Sequence, residues 1–241
     1  PEKVILEQAE LSLKFDSRGN LLTRLPEPGS KSARPVITLK DSTLRLAQEG
    51  RPEWTLKAIQ GTLNPESEGY RLNASVSDPT WGYWTAEARL SDSPPSLELL
   101  ARSDLAKLRM PALEQLPFIS PDTWRHVGLD GTARCDLSVG IKGKKPEVSL
   151  RISNPALALT VPVVGLTSQV TRGQATIEPG LVKLQGLVGQ GLGGLLSCPV
   201  ATLDFRGTWP RLEFSIAGNN LDGPSLAGLA KSRVAKNLRL N

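Results

Sequence analysis

Apolar and polar residues alternate with a period of two through nearly the whole chain, and that pattern leaves room for little besides β-strands. It runs through VILEQAELSLKF (4–15), PVITLKDSTLRLA (35–47), EWTLKAIQGTL (53–63), GYRLNASVS (69–77), WTAEARLS (84–91) and PSLELLARS (95–103). It resumes in LDGTARCDLSVGIKG (129–143), PEVSLRISN (146–154), LVKLQGLV (181–188), PVATLDFRG (199–207) and PRLEFSIAGN (210–219). Turn-forming residues separate the runs, among them Asp16 to Asn20, Asn64-Pro65, Asp92 to Pro95, Lys142-Gly143-Lys144 and Pro179-Gly180. Gly (22) and Pro (19) are too frequent among 241 residues for a helical bundle. The expected fold is all-β with a few short helices: a long antiparallel meander of repeated sheet modules, curled into a groove or half-barrel.

Helical periodicity is confined to two stretches. SDLAKLRMPALEQLPFI (103–119) carries Asp104 as an N-cap and Leu105, Leu108, Leu113 and Leu116 on one face, broken by Pro111 and Pro117. DGPSLAGLAKSRVAKNL (222–238) begins near Pro224 and ends in cations. An internal repeat aligns Ile59, Gly61, Leu72, Pro95, Leu97 and Leu105 with Thr171, Gly173, Leu184, Pro210, Leu212 and Leu221. Two modules are therefore expected: residues 1–110, ending in the short helical segment, and 111–241, with a basic C-terminal helix.

The chemical inventory argues against catalysis. With one His (His126) and two Cys (Cys135, Cys198), a four-ligand metal site is nearly excluded. His126 reads as a residue at a strand start, and Asp130, Asp136 and Asp204 as turn or outward strand positions that form no hydrolase pair. Cys135 has the apolar parity of its strand and reads as a buried thiol; its pairing with Cys198 is left open. The net charge of +5 is scattered except for Lys142, Lys144, Lys145 and the tail, so no nucleic-acid partner is expected. No run reaches the length of a membrane span; ALALTVPVVGL (156–166) contains Pro162. The chain opens on Pro1 and is read as a mature or excised fragment.

GQGLGG (189–194) matches the glycine spacing of a dinucleotide-binding turn. Such a turn needs a helix after it, to present its N-terminus to phosphate. Here Pro199 follows, then the alternating VATLDFRG, so the stretch reads as a corner between strands. No nucleotide and no other cofactor is expected.

The segment 181–222 resembles the strand module of the AsmA/TamB-like family. The likeness lies in Leu184 and Gly186, Gly193-Gly194, Asp204 to Gly207, Pro210 to Ile216, and Leu221-Asp222. LEQLPFISPDTWRHVGLDGTARCDLSVGIKG (113–143) is similar to that family's passage from a short helical segment into a strand. The resemblance implies a non-enzymatic lipid-binding or lipid-conduit segment of a bacterial envelope protein. It further implies a periplasmic setting, with a membrane anchor in missing flanking segments, and a role in intermembrane phospholipid transport or outer-membrane assembly. Its partner would be a phospholipid or another acyl-chain lipid.

The apolar positions that would line such a groove are Val148, Leu150 and Ile152 on one strand, Leu157, Leu159, Val161 and Val163 on the next, and Leu212, Phe214 and Ile216 later. From the residues alone these positions suit an ordinary sandwich core better; the resemblance shifts the balance to a trough. The alternative function is an extracellular β-sandwich that binds carbohydrate, or an adhesion module, using Trp81-Gly82-Tyr83-Trp84.

Overall fold

The protein was analysed as a computed structural model, which describes residues 2–24, 34–92, 95–119, 124, 127–142, 145–162, 165–207 and 211–223. Val163, His126, Pro210 and nearly all of the expected C-terminal helix at 222–238 lie outside them. The chain is all-β. Its described strands are β1 (Lys3–Glu7), β2 (Glu10–Phe15), β3 (Val36–Gln48), β4 (Trp54–Glu66), β5 (Gly69–Asp78), β6 (Gly82–Asp92) and β7 (Pro95–Arg109). After the helical turn α1 (Met110–Leu113) come β8 (Gly128–Lys142), β9 (Lys145–Val161), β10 (Leu166–Glu178), β11 (Leu181–Gly191), β12 (Gly194–Asp204), β13 (Arg211–Phe214) and β14 (Ala217–Asn219).

From β3 to β13 the strands hydrogen-bond in sequence order, as a meander requires. The departure is at the start. VILEQAELSLKF forms two strands separated at Gln8, and both pair with β3 in parallel. Parallel neighbours need a crossover of a dozen or more residues, and the twenty residues between Phe15 and Val36 supply it.

Contacts divide the chain into two compact units. One comprises residues 1–106, 115–118 and 136–149; the other comprises 107–114, 119–135 and 150–241. In the first, Phe15 is buried edge-to-face on Phe118, with ring centroids 4.8 Å apart. The Phe118 backbone N–H donates to Gln48 Oε1 at 2.9 Å, and Arg51 donates to the Leu116 carbonyl at 3.0 Å. Ile37, Leu63, Leu72, Ala88 and Leu99 stand opposite one another across β3 to β7, so they share one face. The neighbouring row is Leu39, Gly61, Ala74, Ala86 and Ala101. A Cβ on Gly61 would meet the Asn73 carbonyl oxygen at 2.9 Å, so no larger side chain fits there.

The strand plan recurs. Strands β4, β5 and β6 begin at Trp54, Gly69 and Gly82, and β10, β11 and β12 begin 112 positions later (166 − 54, 181 − 69, 194 − 82). Asp41 in β3 and Asn154 in β9 both take left-handed backbone conformations, with φ of 49° and 47°. Short polar Asx side chains tolerate that region best among non-glycine residues.

The expected helix at 103–119 is corrected. Residues 103–109 continue β7, and only Met110–Leu113 turn helically, with Pro111 in the first turn where its missing N–H costs nothing. Along β7, Ser103, Ala106 and Leu108 are buried while Asp104 and Leu105 are both exposed. Leu105 and Leu108, three apart and on one side of a helix, therefore lie on opposite sides of the strand, the first 67% exposed and the second buried.

A curled apolar face in the second unit

Cross-strand register builds the candidate site in the second unit. Leu150, Ile177, Val182, Leu203 and Leu212 stand opposite one another in a row across β9 to β13. Ile152, Ala175, Leu184, Ala201 and Phe214 form the next row on the same face. Between them on the reverse face runs Arg151, Thr176, Lys183, Thr202 and Glu213, a wholly polar row. Successive residues of a strand point to opposite faces, so the alternation of the sequence becomes one apolar and one wet surface.

The apolar face extends beyond a break in the strands. In β9 and β10 the pairing skips from Ser153–Gln174 to Leu157–Val170. Asn154 (φ 47°) and Gly173 (φ 123°) sit in that gap. Both strands lose their alternation together, so Leu157 and Val170 return to the side of Ile152 and Ala175 although the count from Ile152 to Leu157 is odd. Pro155 is tolerated here because no ladder bond needs its N–H. The expected strand end at residue 154 is corrected accordingly: β9 is continuous to Val161.

On the same line, a Cβ on Gly131 of β8 would meet the Ala156 carbonyl oxygen at 2.4 Å, and one on Gly173 would meet the Leu187 Cα at 2.8 Å. Bulges and glycine kinks aligned across neighbouring strands curve a sheet.

Curvature is visible in what encloses the cavity of this unit. Leu129 of β8, Leu157 of β9, Val170 of β10, Leu184 of β11 and Leu203 of β12 all border it, together with Trp124. Five adjacent strands laid flat span roughly 19 Å, four gaps of about 4.8 Å each. One depression bordered by all five is what a sheet curled on its apolar face presents. With its solvent-open mouth the depression holds about 620 Å³. Among the described residues that border it, Gln174 is the one side chain besides the Trp124 indole with a polar atom, and none carries a charge.

Of the residues expected to line a groove, Ile152, Leu157 and Leu159 border this cavity. Leu150, Leu212 and Phe214 belong to the apolar rows; the last two, on the outermost strand β13, are 38% and 39% exposed. Val161 and Ile216 pack elsewhere, on Leu166 and Leu196 with Leu192 and Leu221. Val148 falls in the first unit. Sequence reasoning missed Val170, Ala175, Ile177, Val182, Leu184, Leu187 and Leu203, although LVKLQGLV already showed the parity of Val182 and Leu184. Trp124 gave no periodic signal.

GQGLGG closes the hairpin between β11 and β12. Gly191 pairs with Gly194, and Leu192 and Gly193, with φ of 54° and 77°, form a two-residue turn of type I′ geometry. Gly189 continues a row from Leu157 and Val170 to Leu196, where a Cβ would meet the Gln169 carbonyl oxygen at 2.5 Å. These glycines serve close strand packing.

Polar groups rim the unit without forming a reactive cluster. Asp204 accepts from Arg206 Nε at 2.9 Å and Nη2 at 2.7 Å, and the guanidinium holds its carboxyl well below the usual carboxylate range. Burial pushes the Cys198 thiol up, which disfavours the reactive thiolate, while Cys135 is wholly buried. Among the described residues no group of His, Cys, Asp or Glu is placed to hold a metal ion, and no helix is long and apolar enough to cross a membrane.

The aromatic stretch of the first unit is divided between faces. Trp81 is buried beside Trp54 with centroids 6.1 Å apart, and Trp84 Nε1 donates to the Trp81 carbonyl at 2.9 Å. Tyr83, on the opposite face of β6, is the exposed ring. Compared with protein-family models, curated proteins and solved structures, the chain gave no match in any of the three.

Proposed function

We propose that the second unit binds an acyl chain and that the protein serves, without catalysis, as a lipid-binding or conduit segment of a bacterial envelope protein. The observation that carries this reading is the pair of apolar rows across β9 to β13, backed by a polar row and curled around a cavity whose described lining is apolar but for Gln174 and Trp124. The half-buried Leu150, Ala175 and Leu184 keep part of that face accessible. Moving a methylene from water onto such a surface gains about 0.8 kcal/mol, so a chain is held by length alone. A bound chain would lie along the two rows.

The resemblance of residues 181–222 to AsmA/TamB-like modules supports placing the protein in the periplasm, in phospholipid transport between membranes or outer-membrane assembly. The glycan-binding alternative has less to stand on, because Trp81 is packed inside and Tyr83 alone offers an open ring. The test is titration with a fluorescent fatty-acyl probe. Saturable binding by the wild type, lost in a folded Leu184→Asp variant, is the expected result; equal binding by both contradicts the site.

A further inference from the structure

Two strands lie beside β3 at the start of the sheet, and the described chain guards the outer side of only one. β2 is covered by the residues that follow it. The Lys14 backbone N–H donates to Thr23 Oγ1 at 2.7 Å, the Leu22 N–H donates to the Lys14 carbonyl at 2.7 Å, and Phe15 bridges Leu21. β1 ends the strand order. Its ladder with β3 fixes which of its backbone groups are left over. The Val36 N–H donates to the Glu2 carbonyl at 3.0 Å, and the Gln8 N–H donates to the Lys40 carbonyl at 2.9 Å. Successive residues of a strand aim their N–H and C=O groups at opposite neighbours, so Glu2, Val4, Leu6 and Gln8 serve β3. The backbone groups of Lys3, Ile5 and Glu7 point outward and meet no partner among the described residues. Such an edge is a template for another strand.

The sequence of β1, KVILE, is complementary to itself. Run antiparallel, it sets Lys3 opposite Glu7, Val4 opposite Leu6 and Ile5 opposite its own counterpart. Outward residues then face outward residues in three pairs, each exchanging two hydrogen bonds. A slide of two residues either way loses one pair and sets a charge against Ile5. A parallel arrangement sets lysine beside lysine and glutamate beside glutamate, which is unfavourable. Glu7 holds Lys40 through Oε1 at 2.9 Å, and its other oxygen is left for the lysine of a second copy. Ile5 stands on the polar side of the sheet, in a row with Thr38 and Thr62, and is 51% exposed. Its own counterpart would cover it. Val4 and Leu6 pair with Ile37 and Leu39 and so belong to the apolar face.

We infer that β1 is a self-association edge: two copies of this chain pair antiparallel about a two-fold axis at Ile5, joining the apolar faces of two first units in one sheet. The inference stands apart from the acyl-binding reading, and neither falls with the other. A contact of five residues per copy is below the standard interface size, so the dimer is weak and concentration-dependent.

Sedimentation velocity over a concentration series up to about 1 mM tests it. The wild type is expected to pass from the mass of one chain toward twice that mass. Ile5→Pro removes an outward N–H that β3 does not use, so the fold is kept. Dimerisation is expected to weaken at least about tenfold, through two lost hydrogen bonds. Register is read by oxidation. Ile5→Cys meets its counterpart with Cα atoms about 5.5 Å apart and is expected to form an intermolecular disulfide, whereas Leu6→Cys faces Val4 and is not. Should Ile5→Pro not fold, Lys3→Glu takes its place: alone it sets like charges opposite each other and weakens the dimer, and mixing it with Glu7→Lys chains restores pairing. A wild type that stays monomeric, association undiminished in the variants, or Leu6→Cys crosslinking as readily as Ile5→Cys overturns the inference.

Discussion

Gly131 in β8 lies so close to Leu157 in β9 that a Cβ added to the glycine would sit 2.6 Å from the Leu157 Cα. Its backbone is left-handed, with φ of 148°. That approach continues the line of irregularities at Asn154 and Gly173 along which the second unit bends. Gly131→Ala adds strain to a backbone clash and is expected to destabilise the protein by roughly 2–4 kcal/mol in urea unfolding. Gly50→Ala is the control: φ is 78° but nothing lies within 4 Å, so about 1 kcal/mol is expected. Equal costs at the two sites would show that the close approach is not what matters at Gly131.

Filling the cavity should separate stability from binding. Ala175 stands between Ile152 and Leu184 in the second apolar row and borders the cavity. Ala175→Ile adds apolar volume there and a residue better suited to strands, so stability is expected to hold or rise by about 0.5–1 kcal/mol. Acyl-probe affinity should fall at least about tenfold, equivalent to roughly 1.4 kcal/mol, through loss of the space. Undiminished affinity in a stable variant would place the ligand elsewhere.

Leu159 and Ile216 share the same parity logic in sequence yet occupy different sites. Ile216 packs on Leu166 and Leu196, whereas Leu159 borders the cavity. Ile216→Asp is expected to lower stability by about 2–4 kcal/mol with little change in probe affinity of the folded fraction. Leu159→Asp should reduce affinity itself. Calorimetric unfolding and probe titration on the same samples distinguish the two.

The Asp204–Arg206 pair gives a pH dependence with a definite sign. Arg206 holds the Asp204 carboxyl below its unfolded value, so the pair's stabilisation is present above about pH 4 and declines as pH falls toward the folded value. Asp204→Asn should therefore lower the denaturation midpoint at neutral pH and flatten its decline on the acid side. Parallel pH profiles for variant and wild type would mean that the pair contributes nothing.

The meander was legible because each strand has one wet face, so period two survives in the sequence, and because turns such as Leu192-Gly193 use residues that tolerate positive φ. Legibility failed where alternation is interrupted without the strand ending. Asn154-Pro155 read as a stop, yet a matching irregularity around Gly173 in the partner strand carries both across. The end of β7 read as a helix because Leu105 and Leu108 stand three apart, yet in the strand the first is exposed and the second buried. The groove positions were half visible: Ile152 and Leu159 follow parity, but which parity faces the cavity depends on register with β10 and β11, a long-range property. Trp124 was invisible because its place is set through space.

The proposed occupant of the apolar face in the second unit is an acyl chain. Native mass spectrometry of the wild type, after incubation with phospholipid vesicles, tests it most directly. Folded wild type is expected to carry one or more lipid masses, absent from an equally folded Leu184→Asp variant. A folded wild type that emerges without lipid, or a variant that retains it, would mean that this face does not hold an acyl chain.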